Sequence, residues 1–88
     1  MIVEFLSQFG RDLDNIDDKK IKSKIVDVIE KFESAKILPD IKNIKKLTGY
    51  RNAYRFKLGD YRIGFFYANG KVEFARMIHR KDIYKLFP

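Results

Sequence analysis

The feature that most constrains this chain is a run of three alternating segments joined by two tight-turn dipeptides, within residues 50–84. Apolar and polar residues alternate in each segment, and Gly59-Asp60 and Asn69-Gly70 separate them. These dipeptides supply the positive φ angles that tight hairpins require, because glycine and asparagine tolerate them. The pattern therefore predicts a three-stranded antiparallel meander.

The two faces of this meander are predicted to differ in chemistry, because successive side chains of a strand point to opposite faces. The apolar face receives the aromatic and aliphatic members of the first two segments, Tyr54, Phe56, Leu58, Tyr61, Ile63, Phe65 and Tyr67. The opposite face collects Arg55, Lys57 and Arg62. We therefore expect a basic sheet surface there.

The third segment, residues 71–79, does not keep this parity. Val72, Phe74 and Ile78 belong on the apolar face, but Arg76 has the same parity. Either a β-bulge intervenes or the end of the strand leaves the core. Both arrangements change the direction of the side chains that follow.

Helical periodicity dominates the segment before the meander. Residues 2–5 have the β-branched, apolar character of a strand that joins the same sheet. Ser7 is a candidate cap for a short helix with apolar residues at Phe9, Leu13 and Ile16. Asp17 and Asp18 are candidate caps for a longer helix. Its apolar face consists of Ile21, Ile25, Val28, Ile29 and Phe32.

Residues 37–48 are expected to form a loop with one helical turn, since Pro39 is unsuited to the middle of a helix or a central strand. After the meander, the four-residue spacing of Ile83 and Phe87 fits a short terminal helix. The sequence thus predicts an α+β fold in the order β-α-α-β-β-β. It has an antiparallel sheet of about four strands, a helical hairpin packed on it, and one domain over residues 1–88.

Charge is distributed unevenly along the chain. The net charge is +7, but residues 1–44 hold eight Lys/Arg against nine Asp/Glu, whereas residues 45–88 hold eleven against three. Ten of the thirteen aromatic residues also lie in the second half. A basic, aromatic sheet face is an electrostatic footprint for a polyanion, above all nucleic acid.

Composition excludes several other classes. The chain has no cysteine and one histidine, so neither a disulfide framework nor a zinc site is expected, and we expect no metal or other cofactor. No apolar run approaches the roughly 18 residues of a membrane helix, and the N-terminus does not resemble a signal peptide. We therefore expect a soluble, cytoplasmic protein with no membrane partner.

Two motifs carry a resemblance to a known family. The first is Tyr54-Arg55-x-Lys57-x-Gly59-Asp60-Tyr61-Arg62-Ile63, and the second is His79-Arg80-Lys81-Asp82-Ile83-Tyr84. Together with the order of segments, they resemble the RelE-like branch of the RelE/ParE superfamily of toxins, over essentially the full chain. The resemblance implies a type II toxin that acts as a metal-independent mRNA interferase. Such an enzyme cleaves messenger RNA in the ribosomal A site, leaves a 2′,3′-cyclic phosphate, and is held inactive by a cognate antitoxin.

The positions that match the family motifs, together with neighbouring basic residues, give a set of candidate site residues. The catalytic candidates are Lys57, Arg62, His79, Arg80 and Tyr84, and the RNA-binding candidates are Arg55, Lys57, Arg62, Arg76 and Lys81. Among them, Arg62 matches the arginine that contacts the scissile phosphate. Arginine stays protonated and cannot serve as a base, so Tyr84 or His79 is the predicted proton-transfer group, with Lys57 as a further candidate base. Tyr84 can alternatively stack on an unpaired base.

Two other functions remain open at this point. A ParE-like protein of the same fold poisons DNA gyrase without nuclease chemistry, but it does not need Arg62 or the closing motif. Alternatively, the protein is a toxin that has lost its catalytic activity and retains only RNA binding. Arg55 keeps this alternative open, because the most studied relatives have lysine at that position. In the nuclease reading, the partners are the ribosome, messenger RNA and an antitoxin.

Overall fold

The computed structural model describes residues 1–88 and contains one five-stranded sheet with helices on both faces. The strands are β1 (Ile2–Phe5), β2 (Ile44–Lys46), β3 (Ala53–Leu58), β4 (Tyr61–Ala68) and β5 (Lys71–His79). The helices are α1 (Ser7–Asp14), α2 (Lys19–Ser34) and α3 (Ile83–Leu86), and a 3₁₀ turn spans Leu38–Asp40. The strand order across the sheet is β1-β5-β4-β3-β2.

The predicted meander is confirmed, with β3, β4 and β5 antiparallel neighbours. Gly59 has a φ of 58°, and Asn69 and Gly70 have φ angles of 52° and 76°. Both central residues of the second hairpin are thus left-handed, as a type I′ turn requires. This turn geometry follows the right-handed twist of the strands that it joins.

The two N-terminal helices cover one face of the sheet, as the periodicity predicts. The main core contains Ile21, Ile25, Val28 and Phe32 from α2, packed on Phe56, Ile63, Phe65, Val72, Phe74 and Met77 from the sheet. Asp18 is the N-cap of α2, and its carboxylate accepts hydrogen bonds from the amides of Lys20 and Ile21. The predicted cap at Ser7 is wrong, because Ser7 is the first helical residue and Leu6 precedes it without a side-chain cap.

Strand β1 corrects the prediction of a purely antiparallel sheet. It runs parallel to β5, from Ile2 opposite Lys71 to Phe5 opposite Phe74. Alternation specifies which face of a strand is apolar but not the direction of a neighbour that is distant in sequence. The aromatic contacts of Phe5 with Phe9 and Phe74 help to fix this register.

Strand β2 is a fifth strand that the sequence did not predict. It has three residues and lies within the segment that we expected to be a loop with a helical turn. The helical turn is present at Leu38–Asp40, but Asn43 then adopts a left-handed φ of 69° and the chain pairs with β3. Three residues are too few for periodicity to reveal a strand.

The irregularity predicted in β5 is a β-bulge. Gly64 lies opposite Arg76 and Phe65 lies opposite Phe74, which leaves Ala75 as the extra residue. Before the bulge, Val72 and Phe74 face the helical core. After it, Met77 faces that core and Ile78 faces the other side of the sheet.

A smaller core forms on the other side, under the C-terminal segment. The predicted terminal helix is the single turn α3, and Ile83 and Phe87 pack with Leu47, Ala53, Ala75 and Ile78. A Cβ atom at Gly64 would lie 2.6 Å from the Phe87 ring, so only glycine allows this close approach. The C-terminal segment therefore covers part of this face. None of the helices has the length and apolarity that crossing a bilayer needs.

Candidate functional site

The sheet face that carries α3 also carries the cations predicted from the alternation. Lys57 lies directly opposite Arg62, and Lys45 lies directly opposite Arg55. Directly opposed side chains in antiparallel strands have Cβ atoms about 4.5–5.5 Å apart, and like charges there destabilise the sheet. We call Lys45, Arg55, Lys57 and Arg62, with Arg80 and Tyr84 beside them, the basic face.

Arg62 is held at the centre of this arrangement by the turn that precedes it. Its Nη1 donates hydrogen bonds to the carbonyl oxygens of Gly59, at 2.9 Å, and Tyr61, at 2.8 Å. Burial, followed by the charges of Arg55 and Arg80, lowers the pKa of Arg62. Tyr84 and Asp60 act on this pKa in the opposite sense, so both lie within electrostatic reach. Arginine nevertheless remains a cation in proteins.

Arg55 is anchored on Asn43, the residue just before strand β2. Its Nη1 donates to the carbonyl oxygen of Asn43 at 3.2 Å, and the same oxygen accepts the Lys57 amide at 2.9 Å. The Nε atom of Arg55 is buried and has no hydrogen-bond partner. An unpaired buried donor of this kind costs about 1–3 kcal/mol.

Arg80 and Tyr84 reach the basic face from the segment that follows β5. The Arg80 amide donates to the carbonyl oxygen of Asp60 at 2.8 Å, and its Nε lies 3.9 Å from a carboxylate oxygen of Asp60. Both side chains of this pair are exposed, so the pair contributes little to stability. Tyr84 is 62% exposed. Its ring is therefore free to contact a bound molecule.

His79 does not join this group. It lies directly opposite Tyr61, and the two rings meet edge to face with centroids 5.7 Å apart. Tyr61 packs on the helical core, so His79 points to the helical side of the sheet. Its Nδ1 accepts a hydrogen bond from the Lys81 amide at 3.2 Å. The bulge at Ala75 sets this direction, because it shifts the parity of every residue after it.

Arg76 also lies apart from the basic face, and its guanidinium is occupied. Its Nε lies 2.7 Å from Oδ2 of Asp12, and its Nη2 lies 3.2 Å from Oδ1. Its Nη1 donates to the carbonyl oxygen of Leu86 at 3.3 Å. Arg76 thus ties α1 on one face of the sheet to α3 on the other. Lys81 is exposed, and its backbone forms part of the turn after β5.

Asp12, which the sequence did not single out, completes this tie. It accepts hydrogen bonds from Arg76, from Gln8 and from the Met77 amide. Burial acts to raise the pKa of Asp12, but these hydrogen bonds outweigh it and the pKa lies below its ordinary value. No local pattern reveals the contacts with Arg76 and Met77, because these two residues are more than 60 positions away.

Lys45 is the member of the basic face that sequence reasoning missed. Its position on this face depends on the pairing of β2 with β3, which places it opposite Arg55. The available signal was the Ile44-Lys45-Lys46 segment next to Asn43, since asparagine tolerates the left-handed conformation that starts the strand. Together the cations form a surface suited to phosphate, because guanidinium groups match phosphate oxygens bidentately. No three His, Cys, Asp or Glu side chains converge as a metal site would require.

Comparison with solved structures defines the class of protein to which this fold belongs. The toxin of the RelB–RelE antitoxin–toxin complex from Methanococcus jannaschii is 37% identical, with 97% of this chain and 99% of that one covered and a TM-score of 0.80. A structure of the archaeal RelE–RelB complex from Pyrococcus horikoshii gives a TM-score of 0.70 at 19% identity, over 90% and 93% of the two chains. The class is therefore that of the small RelE-like toxins.

The family follows from the sequence. Residues 3–84 match the family described as the ParE toxin of type II toxin–antitoxin system, parDE. The toxin RelE3 of Methanocaldococcus jannaschii is 39% identical over 89 residues, which cover both chains completely. This chain accordingly belongs to the RelE/ParE superfamily of toxins from toxin–antitoxin systems, as a RelE-like member.

Proposed function

We propose that this toxin is a metal-independent endoribonuclease that cleaves messenger RNA in the ribosomal A site and so inhibits translation. The observation that carries the proposal is the basic face, where Arg62 is fixed by backbone carbonyls through Nη1 alone. Its Nε and Nη2 thus point to no protein acceptor and are available to a phosphate. The similarity to toxin RelE3 supports the same reading.

The reaction needs stabilisation of the charge on the phosphoryl group and two proton transfers. The basic face supplies groups for each of these three tasks. A 2′-oxygen attacks the adjacent phosphorus, the P–O5′ bond breaks, and the products are a 2′,3′-cyclic phosphate and a 5′-hydroxyl. Arg62 and Arg80 stabilise the charge that develops on the phosphoryl oxygens. Arg55 adds a positive charge close enough to Arg62 to lower its pKa. The remaining tasks are removal of the 2′-hydroxyl proton and protonation of the leaving 5′-oxygen.

Proton transfer is assigned to Tyr84 and Lys57. Tyr84 is exposed and lies within electrostatic reach of Arg62, and Lys57 is directly opposite Arg62. His79 is left out, because its ring packs on Tyr61 on the helical side of the sheet. Arg76 is left out of the RNA-binding set, because Asp12 and the Leu86 carbonyl occupy its guanidinium.

A cognate antitoxin is the proposed protein partner. The structures from M. jannaschii and P. horikoshii are complexes of RelE with RelB. We infer that this toxin is likewise held by an antitoxin, and that acidic side chains of the antitoxin compete with RNA for the basic face. Charge complementarity of this kind favours rapid association and specificity.

The proposal is tested by mapping 5′ ends with primer extension in a purified translation system that contains a defined mRNA. We expect new ends within codons that require ribosomes and disappear with Arg62→Ala. The matched control is Arg11→Ala, which removes an exposed arginine from α1. Intact mRNA with the wild-type toxin would contradict the proposal, and inhibition of DNA gyrase supercoiling would then favour the ParE-like alternative.

A further inference from the structure

A pocket adjoins the basic face and is not explained by the cleavage reaction. It encloses about 290 Å³, and we call it the Tyr50 pocket. The buried side chains of Leu47 and Phe87 form its apolar part. Tyr50 and Tyr84, which are 51% and 62% exposed, supply its aromatic surface. Lys45 also lines it. Its lining residues include two lysines, Lys45 and Lys46, and neither aspartate nor glutamate.

A hydrogen-bonded turn holds Tyr50 in position. The Tyr50 amide donates to the carbonyl oxygen of Leu47 at 3.3 Å. Gly49 has a φ of 86°, a conformation that other residues rarely adopt. Leu47 begins the turn inside the smaller core, and its amide donates to the Ala53 carbonyl oxygen at 2.9 Å. The exposed ring of Tyr50 therefore projects from a fixed backbone, although it contributes nothing to the core.

The Tyr50 pocket is continuous with the basic face. Tyr84 lines the pocket and also lies within electrostatic reach of Arg62. Lys45 lines the pocket and lies directly opposite Arg55. A nucleic acid strand that passes from the basic face across Tyr84 would therefore reach the Tyr50 pocket.

We propose that the Tyr50 pocket binds an unpaired nucleobase next to the phosphate that Arg62 holds. This inference rests on the proposed function and adds a subsite to it. Single-stranded RNA is recognised mainly by stacking of bases on aromatic side chains, with cations along the backbone. The pocket combines these elements, and the ring of Tyr50 is the part that the cleavage chemistry does not require.

The first test needs no ribosome. Amide chemical shifts of the full chain are followed by NMR during titration with AMP, CMP, GMP or UMP, and separately with inorganic phosphate. We expect each nucleotide to shift the signals of Thr48, Gly49 and Tyr50, and phosphate to shift only signals of the basic face. Tyr50→Phe should retain the response to nucleotides. Tyr50→Ala should weaken nucleotide binding by about 5- to 150-fold, the range for loss of one stacked base.

The matched control is Val26→Ala, which truncates another exposed side chain, on α2, and should not alter nucleotide binding. Equal shifts from nucleotides and from phosphate would overturn the inference, as would full binding by Tyr50→Ala. If the wild-type toxin cuts no mRNA, the proposed function fails. The titration still shows whether the Tyr50 pocket binds a nucleobase. If it does cut, Tyr50→Ala should raise the half-saturating toxin concentration more than it lowers the cleavage rate at saturation.

Discussion

At the scale of single residues, Arg62 and His79 show how one β-bulge places two similar candidate site residues on opposite faces of the sheet. Both belong to the motifs that carry the family resemblance. Alternation along β4 correctly predicted the face of Arg62, since no irregularity lies between Tyr61 and Arg62. His79 follows the bulge at Ala75, and therefore faces the helical core instead of the basic face.

This difference leads to a prediction about proton transfer. Tyr84→Phe should lower the cleavage rate at saturation by about 10²-fold or more, because a general acid or base contributes roughly 10²–10⁴-fold. His79→Asn should stay within about threefold of wild type, since its ring lies on the opposite face. Single-turnover cleavage on programmed ribosomes measures both rates. Wild-type cleavage by Tyr84→Phe would remove Tyr84 from this role.

At the scale of secondary-structure elements, the tie between Asp12 and Arg76 holds α1 and α3 on opposite faces of the sheet. Asp12→Asn should lower the free energy of unfolding at pH 7 by about 1.5–3 kcal/mol, the value of hydrogen bonds to charged groups. Urea denaturation measures the change. The exposed Asp14, on the same helix, provides the control Asp14→Asn.

The same tie gives stability a dependence on pH. The pKa of Asp12 is lower in the folded protein than the value of about 3.9 in an unfolded chain. Its contribution is therefore complete above about pH 4 and is lost as the pH falls through the folded pKa. The free energy of unfolding should fall more steeply below pH 4 for wild type than for Asp12→Asn. Parallel pH profiles of the two proteins would contradict this account.

The contact between Gly64 and Phe87 gives a second prediction for an element. Gly64→Ala should displace the Phe87 ring and loosen α3, at a cost of about 1–3 kcal/mol, because the new Cβ would lie within 2.6 Å of the ring. Cleavage should fall as well, since α3 carries Tyr84. Thermal unfolding and single-turnover cleavage measure the two effects. Gly10→Ala is the control, since that position is open.

A feature of the fold was predictable when the residues that determine it are close together in the sequence. Turn dipeptides and periodicity act locally, and they correctly predicted the meander, α2 and the cap at Asp18. The direction of β1, the pairing of β2 and the partners of Asp12 depend on residues distant in sequence. For the site, Arg55, Lys57 and Arg62 were predictable together, whereas Lys45 and the separation of His79 and Arg76 were not.

At the scale of the whole molecule, charge is segregated between the two layers. The excess of cations in residues 45–88 lies largely on the sheet face opposite the main core and in the turn after β5. We predict that association with ribosomes weakens as salt concentration rises, because binding to phosphates releases counterions. Lys45→Gln should reduce the slope of log affinity against log salt by about 1. An unchanged slope would remove Lys45 from the contact, and Lys24→Gln, on the exposed face of α2, is the control.

The central claim is that the basic face carries out the cleavage, and the most direct test is the single-turnover rate on programmed ribosomes for Arg62→Ala beside Arg11→Ala. We predict a loss of about 10²–10³-fold for Arg62→Ala, as for removal of one donor that stabilises developing charge. Arg11→Ala should cleave at the wild-type rate. Equal rates for Arg62→Ala and wild type would contradict the account and require a different site on this fold.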